Sequence, residues 1–379
     1  MIEKPLRGSD AVAAKNKIKV LYIAGWGRSG STILGRILGQ VEDFFMIGEL
    51  RYVWDRGLIE NRLCSCGTPF RECPLWQEVM FRAFGGNDRI DAKELVDLRE
   101  RGLRTRHVLL APTRQSLQAR VDRMDRYLEA SERLYRAVRD VSSSKVIVDT
   151  SKFPSYAYLL RNVPNIELYL LHLVRDPRAV AYSWASRKKP QSNRGEGAGN
   201  LMKSHSLIGS SLAWNEWNFA IERAWKRVPE RYMWLRYEDF VESPQNTVES
   251  ILQFLGEKEA ESPFVNEREI SLEMTHTFSG NPDRFRSGTV TVKPDEEWRH
   301  EMGNVQQASI TALTCPGLVR YGYPLRPQRD LIDKRARCEG SWTTSAATPR
   351  LRTSWKDTPS QAGSTPRRSA GASSTARKD

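Results

Sequence analysis

The stretch Gly25-Trp26-Gly27-Arg28-Ser29-Gly30-Ser31-Thr32, GWGRSGST, has the spacing of a phosphate-binding glycine loop, G-x-x-x-x-G-K-[ST], with Ser31 where the lysine belongs. Main-chain N–H groups of such a loop, together with the positive end of the helix that follows, bind an anion. Gly25, Gly27 and Gly30 let the backbone curl around oxygens, and Ser29, Ser31 and Thr32 add hydroxyl donors. The missing lysine normally reaches the β- and γ-phosphates beside a hydroxyl that holds magnesium, so its loss argues against a triphosphate with its metal. Arg28 can instead hold the bridging oxygens of a smaller anhydride. A serine-hydrolase elbow fits poorly, because GRSGS breaks G-x-S-x-G at its last position.

A second stretch, LVRDPRAVAYSW, puts Arg175 at the end of an apolar run and Ser183 on the segment after it. Open α/β sheets bind ligands at the carboxyl ends of their strands, so Arg175 and Ser183 can grip a second, separate phosphate. The competing assignment for Arg175 is an ion pair with Asp176 or Glu238.

These residues need a scaffold that converges on them, and the apolar pattern supplies one. IKVLYIAGW (18–26) reads as a buried strand, and STILGRILGQV follows with Ile33, Leu34, Ile37, Leu38 and Val41 at helical spacing. Further strands are expected at 146–151, 166–176 and 231–237. Helices are expected at 154–161, at 176–186 with Asp176 as N-cap, at 206–228, and at 243–256 with Gly256 as the stop. Alternating strands and helices predict an α/β domain over 17–326, a P-loop-like, mainly parallel sheet flanked by helices. Residues 55–145 read as a helical insertion or cap. Residues 1–16 read as a flexible arm, and 327–379, rich in Ser, Thr, Ala, Pro, Gly and Arg, as a disordered tail.

The net charge of +13 is uneven: from Arg326 onward there are 12 Lys and Arg against 5 Asp and Glu. The rest of the chain is only mildly basic, which suits a small anionic ligand and gives no sign of a nucleic-acid partner. No apolar run approaches the length of a membrane span, and the N-terminus lacks the core of a secretory signal, so a cytoplasmic protein is expected. Five cysteines do not make a disulfide framework. Cys64, Cys66 and Cys73 crowd CSCGTPFRECPLW, where packed thiols or a local disulfide are favoured. A zinc site needs a fourth ligand that is not evident nearby and would have to be His107, so no metal ligands are assigned.

Together the two motifs resemble those of the sulfotransferases that use 3′-phosphoadenosine-5′-phosphosulfate (PAPS). GWGRSGSTIL is similar to their 5′-phosphosulfate loop and LVRDPRAVAYSW to their 3′-phosphate motif. The likeness continues through GEL (48–50), DTSKFP (149–154), RYEDF (236–240) and GNPDRFRSG, to about RYGYPL. It is nearest the carbohydrate- and tyrosyl-protein-type branch, which favours arginine in the first loop. The resemblance implies transfer of a sulfuryl group from PAPS to an acceptor hydroxyl or amine, release of adenosine 3′,5′-bisphosphate, and no metal requirement. It implies that Glu49 is the base that deprotonates the acceptor, and that Arg28 and Lys152 stabilise the sulfuryl group and the leaving phosphate. Tyr237 would contact the adenine. Arg286 and Gly288, in RFRSG, would cover the 3′-phosphate with a cation missing at Ser287, and Trp298 and Arg299 lie beside the same lid. The expected acceptor is a small molecule, sugar or glycolipid, chosen by the cap and the 187–212 loop; oligomeric state is left open. The competing functions are an ATP-dependent small-molecule kinase and a non-catalytic nucleotide-binding module.

Overall fold

In the computed structural model, which describes residues 17–186 and 205–326, the first strand is β1, Ile18–Ala24. Its run IKVLYIA is apolar apart from Lys19, which pairs with Glu257, because both its faces are covered. Val20, Tyr22 and Ala24 enter one core, and Leu21 and Ile23 enter the other. Helix α1, Ser31–Leu38, starts at Gly30 and lays Leu34, Ile37 and Leu38 into the second core. β2, Phe44–Gly48, completes the first crossover.

The chain then leaves the sheet through a π-helical turn, Val53–Ile59. It continues through α2 (Pro74–Phe84), α3 (Ala92–Arg101), α4 (Thr105–Leu110), α5 (Arg114–Val121) and α6 (Asp125–Ser142). Their apolar faces, Trp76, Val79, Leu117, Leu134 and Val138 among them, belong to the same core as Val20 and Ile147 of the sheet. β3 (Val146–Lys152), α7 (Pro154–Leu160), β4 (Ile166–Val174), α8 (Pro177–Ala185), α9 (Leu207–Trp225) and β5 (Tyr232–Arg236) follow. The sheet order is β2-β3-β1-β4-β5, and every pairing is parallel. The α/β class and the mainly parallel, helix-flanked sheet are as the sequence predicts. The chain leaves β1 towards β2 and leaves β4 towards β5, so the crevice between their carboxyl ends is the switch point where such sheets bind ligands.

After α10 (Tyr237–Glu242) and α11 (Pro244–Leu255, stopped by Gly256 at φ 77°), a small antiparallel pair forms. Its strands are β6 (Glu269–Leu272) and β7 (Gly288–Thr291). The strap between them, 273–287, returns to the sheet's carboxyl end. α12 (Glu297–Glu301) and α13 (Asn304–Arg320) end the described chain. Among the described residues no helix is long and apolar enough to cross a membrane. The expected arm (1–16), tail (327–379) and most of the 187–212 loop lie outside the described residues.

Candidate active site

The glycine loop stands at the end of β1 as expected. Gly30 sits at φ 89° and begins α1 without a side-chain cap, so no side chain satisfies the first-turn N–H groups, which point at whatever lies beyond the loop. A Cβ at Gly30 would overlap the Tyr237 ring, and one at Gly27 would overlap Trp184, whose Nε1 donates to the Gly27 carbonyl at 3.2 Å. Gly30→Ala should therefore lower stability by about 2–4 kcal/mol, from a left-handed alanine plus overpacking; urea unfolding measures it. The Ser29 hydroxyl turns inward and donates to the Trp26 carbonyl at 2.8 Å, so it braces the loop. Ser31 and Thr32 occupy the first turn of α1.

Arg28 has φ 71°, a left-handed conformation that a non-glycine residue adopts at a cost of order 1–2 kcal/mol. That conformation places its Nε 2.8 Å from Ser183 Oγ on α8. Arg175, at the end of β4, donates through Nη1 to the Arg28 carbonyl at 3.0 Å and lies over the Tyr237 ring, 4.4 Å from its centroid. Arg28, Arg175, Ser183, Tyr237 and Gly30 thus form one cluster at the β1/β4 crevice. Burial, and then the like charge of Arg175, hold Arg28 below the usual arginine range. Guanidinium groups stay protonated, so such crowding favours an anion between them. The buried Arg175 Nε has no hydrogen-bond partner. Neither carboxylate that the sequence offered to Arg175 pairs with it. Asp176 is bound by Arg178, and Glu238 accepts from the Asp176 N–H and from the Tyr323 hydroxyl. Arg175 meets Asp295 instead, at 2.9 Å.

Glu49, just after β2, and Lys152, the last residue of β3, are joined in an ion pair, their side chains only 12% and 14% exposed. Lys152 also has a left-handed φ of 72°, so two cations of the site stand in a backbone region that fold stability alone does not favour. Arg56 lies 3.3 Å from Glu49 Oε2, and Ser279 Oγ donates to the same oxygen at 2.9 Å. Burial pushes the Glu49 carboxyl up, but Lys152, Arg56 and Ser279 outweigh it and hold the group below the usual carboxylate value. Glu49 is therefore a carboxylate at neutral pH.

Sequence reasoning missed three residues here. Arg56 lies on the π-helical turn, stacked 3.5 Å from the Tyr52 ring centroid, and Ser279 lies on the strap. Arg36 on α1 is 1% exposed and donates to the carbonyls of Asp283, Glu273 and Arg286, so it pins both ends of the strap. Its only sequence signal is a charge on an otherwise apolar helix. Arg286 itself is 68% exposed and faces Asp283 at 3.8 Å, and Gly288 begins β7 with φ 91°. Trp298 is buried against Arg178, and His172 is a buried histidine held between Tyr232 and Asn218, with burial lowering it to about 4.

The carboxyl edge of a parallel α/β sheet thus carries an arginine cluster beside an open helix N-terminus and, next to it, a buried carboxylate–lysine pair. The sulfotransferase family profile matches residues 21–261, and the chain belongs to that family, whose chemistry is sulfuryl transfer. None of the curated proteins matches it. Among solved structures it is similar to the sulfotransferase domain of the Synechococcus PCC 7002 olefin synthase, at 18% identity and TM-score 0.41, covering 82% of this chain and 97% of that one. It is also similar to the sulfotransferase domain of the curacin biosynthetic pathway, at 17% and 0.38, covering 85% and 98%. A third is a sulfotransferase from Alicyclobacillus acidocaldarius, at 14% and 0.33, covering 80% and 96%.

Proposed function

We propose that this chain transfers the sulfuryl group of PAPS to an acceptor hydroxyl and releases adenosine 3′,5′-bisphosphate. The observation that carries the reading is the contact of Arg175 with the Arg28 carbonyl, which joins the two anion motifs at one crevice. The loop N–H groups, Arg28 and Thr32 receive the 5′-phosphosulfate. Arg175 and Ser183 receive the 3′-phosphate, which displaces Asp295 from the guanidinium. Tyr237, stacked on Arg175, forms a wall of the adenosine pocket. Glu49 takes the acceptor proton as the acceptor oxygen attacks sulfur. The S–O bond to the 5′-phosphate breaks in line, and Lys152 with Arg28 neutralises the oxygen that leaves. The acceptor is a small molecule, sugar or glycolipid.

Calorimetry with adenosine 3′,5′-bisphosphate and with ATP–magnesium, followed by transfer of labelled sulfate to pooled acceptors, tests the reading. Tight bisphosphate binding with transfer supports it; preference for ATP–magnesium points to a kinase, and binding without transfer to a regulatory module. Arg175→Met should weaken the bisphosphate about 10- to 150-fold, the worth of a charged hydrogen-bonded contact. Arg175→Lys should recover only part of this, because an ammonium lacks the guanidinium fork.

A further inference from the structure

We infer that Cys64, Cys66, Cys73 and His276 form a closed, structural zinc site that fastens the strap to the base of the active site. One ligand atom from each residue lies within 4.8 Å of all the others. Cys66 and Cys73 Sγ are 3.6 Å apart, and His276 Nδ1 lies 3.3 Å from Cys73 Sγ and 4.0 Å from Cys64 Sγ. Zinc bonds of about 2.3 Å to sulfur and about 2.0 Å to nitrogen give tetrahedral edges of about 3.8 and 3.5 Å; the two separations at Cys73 lie near these values, and the longer ones contract towards them when the ion binds. The sulfurs are free, and the 3.6 Å between Cys66 and Cys73 is far from the roughly 2.05 Å of a disulfide, so of the two expected arrangements the thiols are packed and not bridged. His107 is not the fourth ligand: its Nδ1 accepts from the Arg104 N–H at the start of its own helix.

The local backbone is shaped around the sulfurs. Gly67, at φ 91°, turns the C-x-C-G segment back, and Cys64 N–H and O close the turn on Thr68 and Gly67. Cys73 is the N-cap of the 11-residue α2, whose positive end suits a zinc–tris-thiolate of net charge −1. Four protein ligands fill a tetrahedral shell and leave no open coordination position for a substrate, and two of them, Cys64 and Cys73, are fully buried. On binding, the three thiols lose their protons to solvent and the imidazole stays neutral.

The consequence lies three residues downstream of His276. Ser65 is hydrogen-bonded to Thr275 and Thr277, Trp76 Nε1 donates to the His276 carbonyl at 2.8 Å, and the strap then delivers Ser279 to Glu49 and Arg56. The cluster thus ties the strap, which closes over the carboxylate, to the segment before α2.

The full chain, purified under reducing conditions without added metal, should contain about one zinc per molecule by elemental mass spectrometry. Cys66→Ser and His276→Ala, each checked for a native circular-dichroism spectrum, should lose it. Cobalt(II) exchanged into the protein should give thiolate-to-cobalt charge transfer and tetrahedral ligand-field bands, absent from Cys66→Ser. Chelation should speed amide exchange across 275–279 while β1 and β4 stay protected. Protein that carries no zinc and binds none when reduced and titrated with it, or zinc unaffected by both substitutions, overturns the inference. Metal content is read without any transfer assay, so failure here leaves the PAPS reading standing, and failure of that reading leaves the site standing.

Discussion

Glu49→Gln should lower kcat by about 10²–10⁴-fold, the usual contribution of a positioned base, with the dissociation constant for adenosine 3′,5′-bisphosphate nearly unchanged. Glutamine keeps the shape and the hydrogen bond from Ser279, yet it cannot accept the acceptor proton. The carboxylate sits at the end of β2, away from the Arg175–Ser183 cluster at β4 and α8, so its loss should fall on turnover. Single-turnover transfer measured beside calorimetric binding separates the two effects. A change confined to KM would make Glu49 a positioning group, and near-normal turnover would remove it from the chemistry. The wild-type pH profile follows from the same surroundings. A base held below the ordinary carboxylate value stays deprotonated as pH falls through 7, 6 and 5. The acid limb of kcat/KM should therefore lie below the normal range for glutamate, about 4.3.

The parts legible from sequence are those whose signal is local. β1, the glycine loop and α1 announce themselves because a strand covered on both faces is almost wholly apolar and a tight turn needs glycine. β4 with Arg175, and Asp176 as the cap of α8, are legible for the same reason. β6 and β7 are four residues each and partly exposed, too short to show a period. The strap they carry decides what surrounds Glu49, through contacts of large sequence separation: Ser279 is 230 residues from Glu49, and His276 is 212 from Cys64. Such pairings leave no spacing to read. Arg36 escaped for a related reason. A charge on an amphipathic helix is normally assigned to solvent, but here the strap's carbonyls come to it.

Lys152→Met should reduce kcat by about 10²–10³-fold, comparable to losing one donor from a charge-stabilising pocket, and should also move the acid limb of kcat/KM upward. The direction follows from the balance at Glu49. Burial favours the protonated carboxyl, and Lys152 is the foremost group opposing it. With methionine in its place, Arg56 and Ser279 remain, but burial gains ground and the Glu49 pKa rises. Protonation then begins at higher pH during acidification, and the variant loses activity over a range where the parent does not. The two effects have different origins and can be told apart. The fall in kcat reports the cation lost from the leaving phosphate and persists at every pH. The displaced limb reports the pair with Glu49 in the free enzyme and vanishes in the Glu49→Gln background. If Lys152→Met lowers the rate with the limb unmoved, Lys152 acts on the donor alone and another cation sets the base. If the limb moves with kcat intact, the lysine serves only to keep Glu49 ionised, and the leaving oxygen is neutralised by Arg28 and the loop N–H groups.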